Sequence, residues 1–259
     1  MNSSNFTPIF ETIRGDIVEA VHYGAFAIVD VFGNLIAWLG DPYKVTYLRS
    51  SAKPLQAIPF VESGGAEYFG FSTAELALIC GSHSGTDKHV KTLESIQQKA
   101  HLSESDLLCG VHPPFDKPTF EAMRVRKDEP TPNRHNCSGK HTGMLAFAVM
   151  NGWATIDYIN QNHPVQECIL KCFAEMCNLS TDDISVGIDG CSVPNFAAPL
   201  YNAALAYARL CDPSTLDPAR ASACKSITSA MTSHPEMVSG PDRFDTCLMQ
   251  VGQGRIVSK

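Results

Sequence analysis

No run of apolar residues in this chain reaches the ~18 positions that a helix needs to cross a bilayer. Charge is scarce too: Asp, Glu, Lys and Arg make up 18% of the 259 residues. What charge there is leans acidic, 27 acidic against 20 basic side chains for a formal net of −7, which argues against a nucleic-acid or anionic-membrane surface. The ten cysteines contain no Cys-x-x-Cys pair, which disfavours a zinc ribbon or a thioredoxin-type redox site. The opening "MNSSNFTPIF" lacks the basic-then-apolar order of a secretory leader. The expected location is therefore the cytoplasm, where ten cysteines are read as free thiols, core fillers or metal ligands rather than as a disulfide framework.

Strand patterns occupy residues 16 to 48. "GAFAIVDVFGNLIAWLG" carries two apolar, β-branched and aromatic runs joined at Phe32-Gly33-Asn34, a hairpin signature, and "YKVTYL" adds a short strand. From about 50 to 233 helical spacing dominates. Ser72 and Glu75 form a capping box before "AELALIC". "PVQECILKCFAEMC" repeats Val165, Ile169, Phe173 and Met176 on one face, which makes Cys168 and Cys172 packing residues. The final stretch, "FDTCLMQVGQGRIVSK", reads as strand, Gly-Gln-Gly turn and strand. The expected fold class is thus α/β (α+β-like), with one sheet built from both chain ends, about 1–48 and 243–259, around a helical middle. The whole of 1–259 reads as a single catalytic domain.

Four polar clusters interrupt this pattern. In "RSSAKPLQA" Ser50 and Lys53 lie three apart, so one helical turn brings the amine to the hydroxyl's face, and Pro54 confines both to a helix start. Ser-x-x-Lys is also a nucleophile–base arrangement of penicillin-recognising enzymes. "CGSHSGTDKH" (80–89) places Ser82, His83 and Ser84 in a turn that could equally be an N-cap loop ending at Thr86. "HNCSGKHTGML" (135–145) crowds Cys137, Lys140 and His141 around Ser138, whose capping of a helix explains only one of them. In "IDGCSVPNF" an apolar strand runs into Asp189, Gly190 and Cys191, a placement common for functional sites.

Taken in order, "RSSAKPLQA", "CGSHSG…KH", "CGVHPP", "NCSGKHTGML", "DGCSVPNF" and "HPEMVSG" resemble the rhizobial-type (thermolabile) L-asparaginases of the asparaginase II family. The resemblance implies a serine β-lactamase- and glutaminase-like fold and hydrolysis of L-asparagine to L-aspartate and ammonia in a cytoplasmic homodimer. It implies Ser50 as nucleophile, Lys53 as its base, and Ser82 and Lys259 as their relay. Arg49, Asp189 and His141 would bind substrate, and Cys137, Lys140 and Cys191 would hold an accessory zinc that is not essential. It also implies that the family continues past Lys259, so that this chain stops short of its relatives.

The chemistry requires a neutral lysine. A side-chain amide is a poor electrophile, and a serine attacking it must lose its proton as it does so. Burial and a second cation both lower a lysine's pKa, and Lys259 beside Lys53 would supply that cation. Zinc ligation by an amine is unusual, because amines hold protons more tightly than imidazoles. Three rival readings stand beside this one. They are a thiol hydrolase using Cys137 or Cys191 with His141, a glutaminase or β-lactamase using the same Ser-Lys pair, and an inactive truncated binding protein.

Overall fold

The computed structural model describes residues 6–259; residues 1–5, part of the polar opening read as leaderless, lie outside the described residues. About half of the chain is helical and the strands form small antiparallel sheets, a mixed α/β architecture. Strands β1 (Thr7–Arg14) and β2 (Ile17–Gly24) make an isolated hairpin, and β3 (Phe26–Val29) with β4 (Leu35–Leu39) makes a second. The second hairpin turns where its sequence indicates. Asp30 accepts the backbone N–H of Phe32 and Asn34 and the Asn34 side-chain amide, while Gly33 takes a φ of 85° that favours glycine. Strand β5 (Val45–Tyr47) pairs with β7 (Pro194–Pro199), which also pairs with β6 (Ser185–Ile188).

The helices are α1 (Lys53–Glu62), α2 (Gly65–Phe69), α3 (Thr73–Ile79), α4 (Asp87–Lys99), α5 (Lys117–Arg126) and α6 (Ser138–Met150), followed by α7 (Pro164–Cys177), α8 (Leu200–Cys211), α9 (Pro218–Ser233), α10 (Pro235–Val238) and α11 (Phe244–Gly252). The capping box at Ser72 and Glu75 opens α3. Thr86 opens α4 in the same reciprocal way, with His89 accepting the cap's N–H. Helix α1 is the axis of the core. It is buried from Lys53 to Val61 and packs on α6, α7 and α9, while α3 packs on α4, α6, α9 and α10. Contact between α3 and α6 depends on a missing side chain, since a Cβ at Gly139 would lie 2.3 Å from the Leu78 carbonyl oxygen.

The sheet is not assembled from both chain ends. Among the described residues, 243–259 hold no strand; α11 is followed by an irregular segment from 253 onward. Alternation in "CLMQVGQGRIV" is compatible with either period, as short apolar runs are. The residues that α11 buries, Thr246, Met249 and Gly252, are three apart, which is helical spacing. Its end is set by Gln253 and Gly254, both at positive φ. The third sheet instead takes its middle strand from residues 194–199, in the part expected to be helical.

Gly139→Ala should therefore destabilise the protein by about 1–3 kcal/mol, the range for overpacking a close contact, read as a lower urea midpoint with an unchanged slope. An unaltered midpoint would mean that α3 and α6 do not meet there.

Candidate active site

The turn that carries Ser50 hangs from β7. The Leu48 N–H donates to the Phe196 carbonyl at 3.1 Å, and the Arg49 N–H donates to Asn195 Oδ1 at 3.0 Å. Between these anchors and the helix, Arg49 adopts a φ of 51°, a left-handed conformation that costs a residue with a Cβ on the order of 1 kcal/mol or more and is kept only when its surroundings over-determine it. A 3-10 turn, Arg49–Ala52, then leads into α1, with Pro54 in the first turn where no amide is needed. The Tyr207 hydroxyl donates to the Ser51 carbonyl at 2.5 Å and ties the turn to α8. The Arg49 guanidinium reaches Asp189 Oδ1 at 3.1 Å, and both line an open pocket with Tyr47 and Asn195. Arg49 and Asp189, separate motifs in the sequence, thus face each other.

Lys53 is 1% exposed. Its Nζ lies 2.9 Å from the Gly81 carbonyl, 2.6 Å from Ser82 Oγ and 3.2 Å from the Asn136 carbonyl. Burial pushes its pKa down and the Lys140 charge adds to this, while Cys137 acts in the opposite direction. A neutral amine has two N–H groups and one lone pair. The two carbonyls can only accept, so in that state they take both N–H groups and the Ser82 hydroxyl donates to the lone pair. The partner of Lys53 is therefore Ser82, held in turn by its own N–H on the Val238 carbonyl at 2.7 Å. Ser50 shares the turn, but among the described residues its hydroxyl makes no side-chain hydrogen bond.

Cys137 is the N-cap residue of α6 and Lys140 lies in that helix's first turn, so Ser138 is not the cap. Its hydroxyl instead meets His83 Nε2 at 2.9 Å. The Gly85 N–H donates to His83 Nδ1, which assigns the ring proton to Nε2 and makes it the donor to Ser138. The turn between β6 and β7 brings in Cys191, whose Sγ receives the Lys140 amine at 3.0 Å. The two thiols separate in acidity: Cys191, then the Lys53 and Lys140 charges, push Cys137 down against its burial, whereas Cys137 and burial push Cys191 up. Among the described residues no group of three His, Cys, Asp or Glu side chains could hold a metal. Any zinc here would thus rest on two sulfurs and an amine, a donor set soft enough for that ion.

His141 is fully buried. The Tyr158 oxygen accepts the Leu108 N–H and shares a hydrogen bond with His141 Nδ1 at 2.6 Å, and burial holds the imidazole neutral. It does not line the Arg49–Asp189 pocket. Lys259 lies in the irregular segment after α11, not on a strand, and among the described residues its amine donates no hydrogen bond to Ser50 or Ser82. Burial and the charge of Lys53 nevertheless bring its pKa down to about 7, against an opposing pull from Asp245. Asn195 and Tyr207 escaped the sequence reading. Asn195 stands in a quoted motif, yet nothing in its spacing reveals that its side chain caps a turn 146 residues away.

An amine is reactive when neutral, so acylation of Lys259 should rise as pH passes through about 7, whereas an ordinary lysine responds near ~10.4. Competitive labelling read by mass spectrometry checks this; half-labelling in the ordinary range would place the amine in water.

No helix among the described residues is long and apolar enough to cross a membrane. A search of curated proteins returns no match. The family model described as L-asparaginase II matches residues 10–259 of this chain. That span contains every polar cluster described above, and the chain belongs to the L-asparaginase II family.

Proposed function

We propose that this chain hydrolyses L-asparagine to L-aspartate and ammonia, with Ser50 as nucleophile and Lys53 as base acting through Ser82. The observation that carries the reading is the buried Lys53 amine, pushed toward neutrality and bonded to Ser82 one turn from Ser50. In this reading Lys53 takes the Ser82 proton as Ser82 takes that of Ser50, and the Ser50 oxygen forms a bond to the side-chain amide carbon. The C–N bond breaks, ammonia leaves with a returned proton, and water cleaves the acyl-enzyme by the reverse relay. Backbone amides of the Ser50 turn would stabilise the oxyanion. Lys259 serves the relay as a second cation beside Lys53. The Ser50–Lys53 turn is what supports a likeness to serine β-lactamases and glutaminases.

Asparagine is a zwitterion at its α-carbon. Arg49 would take its carboxylate and Asp189 its amino group, each exchanging the present ion pair for a partner of the same sign. Cys137, Lys140 and Cys191 would hold zinc, which when bound supplies a fixed positive charge beside the substrate. Activity is expected without it, because none of the proton transfers passes through these three side chains. The thiol reading has one observation in its favour, the depressed acidity range of Cys137. Yet the imidazole that would serve it, His141, makes no hydrogen bond to either sulfur among the described residues.

Ser50→Ala should abolish ammonia release from L-asparagine, whereas Cys137→Ala should chiefly raise KM. Loss of a nucleophile lowers kcat, and loss of a placement group weakens binding. The reverse pattern would transfer the reaction to the thiol.

The homodimer expected from the resemblance finds support in the β1–β2 hairpin. Ile9, Phe10, Ile13, Ile17, Val18 and Tyr23 are all exposed on it, and a two-stranded ribbon is marginal on its own. Their combined exposed area is on the order of the ~800 Å² per partner of a standard interface. Sedimentation velocity should show a dimer that Ile13→Glu with Ile17→Glu converts to monomer, and a monomeric parent protein would refute the pairing.

A further inference from the structure

The segment from Gln253 to Lys259 has no regular structure, yet it is held at three points. Ile256 fills the space above Gly252, where a Cβ would come within 2.7 Å of it. Val257 packs on the hydrophobic core. The Ser258 hydroxyl donates to Asp245 Oδ1 at 2.6 Å. Beyond these holds, the half-buried Lys259 carries its amine within electrostatic reach of Lys53. Asp245 lies in the first turn of α11, and the next residue anchors that turn: Thr246 donates to the Gly240 and Pro235 carbonyls. The carboxylate is thus fixed to a rigid helix while its partner sits on an irregular strand of backbone.

We propose that Asp245 is a positioning residue, a latch that grips Ser258 and thereby sets the Lys259 amine against Lys53. Two apolar contacts, at Ile256 and Val257, locate the segment. One charge-assisted hydrogen bond, of the stronger class, holds the residue next to Lys259. The groups whose charge acts on Lys259 are Lys53 from α1, Asp245 from α11, Cys137 at the start of α6 and Cys80 at the end of α3. Asp245 therefore acts in two separable ways: it holds the segment through Ser258, and its charge favours the protonated amine.

These two actions predict opposite responses. Asp245→Asn keeps an acceptor for Ser258 but removes the charge, so Lys259 should titrate below about 7. Asp245→Ala and the milder Ser258→Ala release the segment, and Lys259 should titrate upward toward an ordinary lysine. A residue acting only as a neighbouring charge would move the amine downward in both Asp245 variants, which would overturn the latch. Labelling of Lys259 read by mass spectrometry measures this without any substrate, and so stands apart from the asparaginase reading. The kinetic arm alone rests on that reading. Asp245→Ala should lower kcat about tenfold with KM little changed, as misplacement of a catalytic group does, and Asp245→Asn should restore most of it. In a Lys259→Met background Asp245→Ala should cost nothing more; additive losses would also overturn the latch. If the amine shifts as described while the parent protein releases no ammonia, the latch stands and the asparaginase reading falls.

Discussion

The arrangement depends on one buried amine. Lys53 stands at the start of the central helix with almost no exposure, and an isolated ammonium there would be strongly disfavoured. The chain answers with two carbonyls and a hydroxyl from segments far apart in sequence. Gly81 and Ser82 come from the end of α3, and Asn136 precedes α6. The same bonds that make Lys53 tolerable hold α1, α3 and the approach to α6 at fixed separation. Stability and chemistry therefore draw on the same atoms, and a substitution at Lys53 cannot be purely functional.

A second constraint is charge in a confined space. Lys53, Lys140 and Lys259 lie within electrostatic reach of one another or of shared neighbours. The Lys140 charge favours proton loss from Lys53 and the Lys53 charge favours it from Lys259, while Cys137 pulls both amines the other way. Ordinary structural lysines are placed to avoid such crowding. Here burial first, and the neighbouring charge second, push Lys53 down and bring Lys259 to about 7.

Much of the site was legible because its residues sit in short, dense motifs. Ser50 with Lys53, and Cys137 with Lys140, are one turn apart, and helical geometry alone joins them. The hairpin at Phe32-Gly33-Asn34 and the capping box at Ser72 were legible for the same reason, being local. What the sequence could not show were contacts between distant segments. Ser50 and Lys53 read as a direct pair, but the amine turns to Ser82. His141 read as a group beside substrate, and nothing in the sequence signals that its Nδ1 meets Tyr158, 17 residues on. The closing segment misled because its alternation fits two periods, and only the burial of Thr246, Met249 and Gly252 chooses the helix. With that strand gone, Lys259 reaches the centre by an irregular path that no periodicity describes.

The pairing of β5 with β7 has a consequence for how the protein comes into being. The Ser50 turn is anchored by Phe196 and Asn195, so it closes only when two segments about 146 residues apart have met. Helices α3, α4 and α6 can form and dock from contacts much nearer in sequence, and such contacts form sooner because their loops cost less entropy to close. The left-handed backbone at Arg49 adds to the delay, since nothing favours that conformation until Asn195 arrives to hold it. A chain emerging from synthesis would thus pass through a stage with its helices formed and its serine misaligned, and would become competent late.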